Sequence, residues 1–307
     1  MRWFAELRRR WVSAADVTEP RGPALAVGRS LLALAQLATL AFNSDGVLFA
    51  QPDGMRCNGL SSLSMWCLAQ ETNHGLLVIR IVSISVLLVV LSGYRPRLTC
   101  VPHWYVTFCM TAAMPMANGG DRALQIATLL LIPVCLGDDR TWQWGRPRSP
   151  LPAQWRGASF AAGITLRLQL SVIYVIGVVS KLTDPLWRQG SAMLAIAHHH
   201  VAGFPRPVLN LLELPLRSYW IVAAASWSVI AVQLAIAVLV WCGLRARRCA
   251  LVAGVGLHAG IMFLMSLPVF GLVMISVLLV VCAPWRQVVH NEGTGSELEH
   301  RARSVRS

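Results

Sequence analysis

The chain has 307 residues, of which 55% are hydrophobic and only 13% are charged. A soluble domain of this length needs more charge to cover its surface, so the composition excludes an ordinary soluble protein and indicates a membrane protein. The net charge of +13 does not indicate a nucleic-acid partner, because the basic residues are spread over the loops between apolar segments.

The first 23 residues combine arginines with aromatic residues. Trp3, Phe4, Leu7 and Trp11 recur at roughly helical spacing beside the arginines, a pattern typical of a helix that lies on the inner leaflet. The charged region is too long, and the apolar run begins too late, for a cleaved signal peptide. We therefore expect residues 1–23 to form a cytoplasmic amphipathic segment.

Eight apolar segments follow, and each approaches the roughly 20 residues that a helix needs to cross a bilayer. They are residues 24–42, 76–92, 101–117, 122–136, 158–180, 218–241, 250–265 and 268–281. The third is the weakest, because it contains Pro102, His103 and Pro115, and the last two are short. The sequence predicts an all-α polytopic transmembrane helix bundle of about eight spans within residues 24–290.

The distribution of arginine orients this bundle, because Lys and Arg are enriched in cytoplasmic loops. With the N-terminus inside, 18 of the 27 basic residues lie on the cytoplasmic side and six on the outer side. Only an even number of spans makes every second loop basic, so we expect both termini in the cytoplasm of a multi-pass cell-membrane protein surrounded by lipid. Residues 43–75 and 181–217 are then outer segments, and the polar residues 291–307 form a disordered cytoplasmic tail.

Of the eight cysteines, only Cys57 and Cys67 fall in the outer loop, on the side that permits disulfides. A bridge between them would close a loop of about ten residues and stabilise the fold by about 2–3 kcal/mol in the loop-entropy model. The alternative is two unpaired thiols in a half-buried loop. No CxxC spacing of the metal-binding kind occurs, so we expect no metal site.

Lys181 is the only lysine among the 27 basic residues, and it lies at the outer end of the fifth predicted span. Arginine stays protonated in proteins, whereas a buried lysine amine can lose its proton and act as a base. Two structural alternatives remain open. Lys181 can simply snorkel to the interface, or Asp184 can pair with it and hold the amine charged.

Three further residues have the chemistry to act with this lysine. Arg167 lies four helical turns below it, and intramembrane charges usually face the protein interior. Its candidate partners are Gln169 and other glutamines, backbone carbonyls or a bound anion. His258 lies midway along the seventh span and His199 in the outer segment, so both can return to one outer cavity. A lone His in an apolar span is, however, more often hydrogen-bonded packing than a catalyst.

The stretch LRLQLSVIYVIGVVSKLTDPLWRQGSAM, residues 166–193, resembles the signature of the HTTM family, the transmembrane domain shared with vitamin K-dependent γ-carboxylases. The matching residues are Arg167, Gln169, Tyr174, Gly177, Lys181, Leu182, Trp187, Gly190 and Met193. The resemblance extends more weakly through His199 to the last helix pair, where His258 falls on a family histidine. It implies that Lys181 is the base of quinone-linked chemistry at the outer membrane face, with a reduced quinone as cofactor.

Two departures limit what this resemblance implies. The γ-carboxylases carry a large luminal domain after the helices, and this chain ends soon after its last predicted span. They also carry an Asn-His pair where this chain has Asn118-Gly119-Gly120-Asp121, so we do not expect glutamate carboxylation. The size, the outer cysteine pair and the SMWCL at residues 64–68 resemble the sporulation-delaying protein B branch, whose members help to mature a secreted peptide toxin.

The leading hypothesis is therefore an HTTM-type membrane protein that helps to mature or modify an exported peptide, with a small secreted precursor as its partner. Lys181 would act as base, with His258 and His199 beside it. The polar residues of the outer cavity would be Arg167, Gln169, Asp184 and Trp187. The alternative is a non-enzymatic membrane protein for export of, immunity to or scaffolding of a toxin peptide.

Overall fold

The computed structural model describes residues 18–49, 54–69, 72, 74–115, 117–200, 203–283 and 286–287. Most of the predicted amphipathic N-terminal segment and the whole predicted tail lie outside these residues. The described chain is an all-α helix bundle, which confirms the predicted fold class. Two short strands, β1 (Thr18–Glu19) and β2 (Arg286–Gln287), pair antiparallel beside the first and last helices.

The connections between the helices vary in length on both predicted sides: three residues join them at 93–95 and at 265–267, and sixteen at 137–152. In chain order they are α1 (Pro23–Phe42), α2 (Asp45–Leu48), a 3-10 helix (Gly59–Leu63), α3 (Met65–Ala69), α4 (Gly75–Ser92), α5 (Pro96–Ala113), α6 (Gly119–Leu136), α7 (Ala153–Thr183), α8 (Pro185–Arg188), α9 (Ala192–Ala197), α10 (Arg206–Arg217), α11 (Tyr219–Leu239), α12 (Leu244–Leu264) and α13 (Pro268–Cys282).

Six of these helices, α1, α4, α6, α7, α11 and α12, are long and apolar enough to cross a membrane. The chain is therefore a multi-pass membrane protein. Helix α5 covers residues 101–113 of the third predicted span, with Pro102 and His103 inside the helix, and α13 covers the eighth with 15 residues. The count of eight spans and the cytoplasmic location of both ends stay predictions.

The helix boundaries depart from the predicted spans where polar residues continue a helix. Helix α7 has 31 residues, which corresponds to about 46 Å at a rise of 1.5 Å per residue and exceeds the roughly 30 Å of a bilayer core. Helix α12 begins at Leu244, so Arg245, Arg247 and Arg248 lie in its first turns and not in a loop. Arginine is a good helix former, and hydropathy alone does not detect such an extension.

Lipid surrounds the helices that bury few of their own residues. In α4 only Ser83, Leu87 and Val90 are buried among 18 residues. Its exposed face carries branched aliphatic side chains such as Val78 and Ile81. Because apolar side chains of this kind belong against acyl chains, the exposed face of α4 is a lipid contact.

The short helix α13 lies at the centre of the bundle, with nine of its 15 residues buried. It packs closely on α1 because Gly28 has no side chain: a Cβ there would lie 2.6 Å from Val280 Cγ2 and 3.1 Å from the carbonyl oxygen of Ser276. A Cβ at Gly254 of α12 would likewise lie 2.5 Å from Leu278 Cδ1. Small residues at such crossings let membrane helices approach.

Buried charges join the ends of the helices on the predicted inner side. Arg29, within α1, is 2% exposed and donates hydrogen bonds to Gln143 Oε1 at 3.0 Å and to Thr99 Oγ1 at 2.6 Å. Gln143 in turn donates through Nε2 to Ser30 Oγ at 2.8 Å. This predicted intramembrane arginine thus connects α1, the start of α5 and the loop after α6.

Arg21, just before α1, forms a second buried inner group. It donates bidentately to Glu19 at 2.7 Å and lies 4.0 Å from Asp138 and 3.8 Å from Asp139. Burial disfavours the charge, but the hydrogen bond to Glu19 and the three carboxylates outweigh it, so the pKa of Arg21 is raised.

The described part of the predicted outer loop packs on the bundle and contains a disulfide. Cys57 and Cys67 are bonded, with Cα atoms 5.6 Å apart. The neighbouring Trp66 is fully buried, and Ser64 Oγ donates to the carbonyl oxygen of Cys109 in α5 at 2.8 Å. Residues 57–67 therefore form a packed segment, the cover over α4 and α5, and the disulfide joins its two ends.

Candidate active-site cavity around Lys181

Lys181 lies in the last turn of α7, and the sequence that follows fixes where this helix ends. Asp184 adopts an extended backbone conformation, and Pro185 then begins α8. The residue before a proline is disfavoured in the helical region, which explains the break. Asp184 Oδ1 accepts a hydrogen bond from the N–H of Leu186 at 2.8 Å, so its carboxylate caps α8.

The amine of Lys181 is half-buried and has two neighbours. Nζ donates to the carbonyl oxygen of Gly177 at 3.3 Å and lies 5.2 Å from the centroid of the Trp187 ring, in the range of a cation–π contact. Lys181 and Asp184 do not form an ion pair among those that the described residues make. The alternative in which Asp184 holds the amine as a salt bridge is thus not seen.

Lys181 faces a cavity of about 510 Å³ between α7, α11 and α12, within the usual size of ligand pockets. The polar lining residues are Ser180, Lys181, Asp184, Trp187 and Gln233. The apolar lining consists of Met193, Ile196, Phe204, Val229, Leu257, Ile261, Leu264 and Met265, with Gly256 and Gly260 on the wall formed by α12. Asp184 and Trp187 therefore line the same cavity as Lys181.

Arg167 and Gln169 do not line this cavity. Arg167 precedes Lys181 by 14 residues on the same helix, about 21 Å along the axis, and its electrostatic neighbours are Arg247 and Cys282 at the inner ends of α12 and α13. Gln169 donates weakly to the carbonyl oxygen of Ala123 in α6, at 3.5 Å. The long rise of α7 separates both residues from the outer cavity, which corrects their predicted placement.

The two predicted histidines also lie outside the lining. His258 is 2% exposed, and its Nε2 lies 2.9 Å from the hydroxyl of Tyr174, with the Phe270 ring 5.7 Å away. His199 is exposed after α9, where its ring stacks on His200 at 4.8 Å. The structure therefore brings together Lys181, Asp184 and Trp187, but neither histidine.

Gln233, which the sequence indicated only as a candidate partner of Arg167, also lines the cavity. It lies in α11, is 9% exposed, and its Oε1 has no hydrogen-bond partner among the described residues. A Cβ on Gly177 would lie 3.7 Å from this oxygen and 3.9 Å from Lys181 Nζ, so both head groups flank the same glycine. A single amide in an otherwise apolar helix is the sequence feature that could have indicated it.

A second outer cavity, of about 720 Å³, lies on the other side of the α12–α13 turn. Asn118 and Asp121 line it, in the tetrapeptide that departs from the γ-carboxylase pattern. Asn118 Oδ1 accepts from the N–H of Gly120 at 2.7 Å, and Asp121 Oδ2 accepts from the N–H of Asn118 at 2.9 Å. The tetrapeptide is thus a capping box that begins α6.

Comparison of the sequence with known proteins identifies a family. No family model matches the chain, and no solved structure matches it. Over 272 residues it is 28% identical to the uncharacterized protein YitO of Bacillus subtilis (strain 168), with 88% of each chain covered. Over 274 residues it is 30% identical to the sporulation-delaying protein SdpB of the same organism, which covers 89% of this chain and 84% of SdpB. The chain therefore belongs to the SdpB family of multi-pass membrane proteins.

Proposed function

We propose that this protein helps to mature or modify an exported peptide at the outer membrane face, with Lys181 as a general base. The observation that carries the proposal is the position of the only lysine at an apolar cavity of about 510 Å³, without a salt bridge to Asp184. The similarity to SdpB, and the maturation of a secreted peptide that the resemblance to its branch implies, support an exported peptide as substrate.

The surroundings of the amine suit a base that gains a proton during the reaction. A general base must reach the proton that it removes, and Nζ faces a space large enough for a substrate. When neutral Lys181 accepts a proton from a substrate, the resulting ammonium has Gly177 O as a hydrogen-bond acceptor and the Trp187 ring beside it. Both interactions stabilise the protonated amine more than the neutral one.

A reduced quinone, which the family resemblance implies, fits the chemistry of the lining. The apolar side chains suit its ring, and Gln233 Oε1, which has no partner among the described residues, suits a hydroxyl donor. A bound hydroquinone would supply reducing equivalents and an acidic hydroxyl. Lys181 would hold the proton of that hydroxyl, and the apolar wall would exclude water.

The test is mass spectrometry of a candidate secreted precursor peptide produced with wild-type protein or with Lys181→Arg. Arginine keeps the charge and removes the deprotonable amine, so we expect the processed or modified peptide to disappear. Arg188→Lys, an exposed exchange of the same two residue types on α8, is the matched control and should leave the product unchanged. Full product formation by Lys181→Arg would end the catalytic assignment.

A non-enzymatic role in export, immunity or scaffolding is the second candidate. It is favoured by the positions of His258 and His199 outside the cavity, which leave no histidine for proton transfer to Lys181 among the described residues of the lining. In that case Lys181→Arg would be silent. Substitutions that fill the cavity would then change only peptide binding.

A further inference from the structure

The unpartnered oxygen of Gln233 indicates a hydrogen-bond donor in whatever fills the cavity. Gln233 is more than nine-tenths buried, lines the cavity, and its Oε1 is without a partner among the described residues. A buried amide oxygen that makes no hydrogen bond destabilises a protein. A ligand that donates an N–H or O–H at this point would remove that penalty.

Two glycines on the opposite wall leave room for a polypeptide main chain. Gly256 and Gly260 are one turn apart on α12 and line the same cavity. A Cβ at either position would meet no atom within 4 Å, so neither glycine is needed for helix packing. Gly254 on the same helix differs, because a Cβ there would lie 2.5 Å from Leu278. The bare face at Gly256 and Gly260 borders the cavity and no neighbouring helix.

The charges of the lining indicate a neutral ligand. With Lys181 protonated, Lys181 and Asp184 contribute one charge of each sign, and the rest of the lining is apolar apart from Ser180, Trp187 and Gln233. A charged headgroup would leave one of the two charges opposed by a like charge. An acyl chain, on the other hand, has no donor for Gln233 Oε1.

We propose that the cavity binds an uncharged, apolar peptide segment in extended form, with one backbone N–H donating to Gln233 Oε1. The main chain of the segment lies against Gly256 and Gly260. This inference rests on the proposed function, since it names the substrate class of the same site. It also places the bound backbone beside Lys181, because Lys181 Nζ and Gln233 Oε1 flank Gly177.

The test uses the full-length protein in lipid nanodiscs and a fluorescent, acetylated and amidated hexapeptide of alternating Leu and Ala. Its affinity is measured by anisotropy and compared with that of the same hexapeptide with N-methylated backbone amides. We expect saturable binding of the first peptide and about tenfold weaker binding of the second, the upper range for one hydrogen bond. Equal affinity for the two peptides would overturn the proposal without any protein variant.

Variants of the cavity then locate the binding site. Gln233→Leu should weaken the unmodified hexapeptide by about tenfold and leave the N-methylated one unchanged. Gly260→Leu should fill the cavity and abolish binding of both peptides. Gly157→Leu is the matched control, because Gly157 is an exposed helical glycine in α7 whose Cβ would also meet nothing within 4 Å, and it should bind normally. Normal binding by both cavity variants would place the peptide elsewhere and refute the proposal.

Two further measurements separate this inference from the catalytic role of Lys181. Lys181→Arg should bind the hexapeptide within about threefold of wild type, since the amine is not the acceptor. If the hexapeptide fails to bind while Lys181→Arg loses activity, Lys181 remains the proposed base and the proposed peptide site is refuted. Displacement of the bound hexapeptide by a short-chain hydroquinone supports a shared cavity, whereas hydroquinone binding with no hexapeptide binding would assign the Gln233 acceptor to a quinone.

Discussion

Gly177 lies one helical turn before Lys181, and its carbonyl oxygen accepts a hydrogen bond from the lysine amine at 3.3 Å. A Cβ at Gly177 would lie at ordinary van der Waals distance from both head groups, 3.9 Å from Lys181 Nζ and 3.7 Å from Gln233 Oε1. Gly177 therefore supplies a hydrogen-bond acceptor to the amine and lies within contact range of both functional side chains.

This relationship predicts a size threshold at Gly177. Alanine places its Cβ at ordinary van der Waals distance, so Gly177→Ala should keep most activity. Gly177→Leu should displace the amine and the amide and lower product formation at least tenfold, with the helix bundle intact. Product yield by mass spectrometry and thermal unfolding in detergent measure the two effects. Equal activity of the two variants would contradict the close approach.

The single lysine allows its accessibility to be measured directly. A membrane-impermeant amine reagent applied to intact cells should label Lys181 from outside, and only slowly, because the side chain is half-buried. Arg188→Lys places a second lysine at an exposed position and should label several-fold faster, as an internal reference. Labelling of Lys181 only after cell lysis would contradict its predicted position on the outer side. Labelling as fast as the reference would show that the amine is not sheltered.

The pair of Tyr174 and His258 is predicted to stabilise the fold. Their hydrogen bond of 2.9 Å is buried, and His258 Nδ1 has no partner among the described residues. Tyr174→Phe should lower the free energy of unfolding by about 1–3 kcal/mol, because the buried Nε2 then also lacks a partner. Thermal unfolding in detergent measures this loss.

An exposed histidine is the control for that experiment. His200→Ala, outside the helices, should change stability by less than about 0.5 kcal/mol. If Tyr174→Phe leaves stability unchanged while peptide processing stops, His258 has a catalytic role and the packing interpretation is wrong.

The outer disulfide should stabilise the cover over α4 and α5. The double variant Cys57→Ser and Cys67→Ser should lose about 2–3 kcal/mol, and a reductant should lower the melting temperature of wild type but not of this variant. Cys242→Ser, at an exposed free cysteine, is the matched control. Identical melting of wild type with and without reductant would show that the bridge contributes nothing.

The sequence predicted those parts of the site that are local in the chain. Lys181, Asp184 and Trp187 fall within seven residues, so the end of one helix and the start of the next bring them together. Gln233 comes from α11, and its nearness to Gly177 depends on how α11 packs on α7. Hydropathy along one segment carries no information about that pairing.

The misplacement of His258 has a geometrical cause. Successive residues of an α-helix turn by about 100°, so a residue two positions from Gly256 and two from Gly260 points away from both. Because the two glycines border the cavity, His258 faces the other side of α12, where it forms a hydrogen bond with Tyr174. The sequence contained this relation, but nothing in it identified which face of α12 borders the site.

The capping box at the start of α6 also has a chemical consequence. Asn118 Oδ1 accepts a hydrogen bond from the N–H of Gly120, and Asp121 Oδ2 accepts one from the N–H of Asn118, so the two polar residues of the larger cavity already have partners. An engineered proton donor at this corner would have to replace the cap of α6 as well as add the new group. Redesign of this protein toward carboxylation would therefore first have to restore the start of α6, and only then could it add a catalytic group.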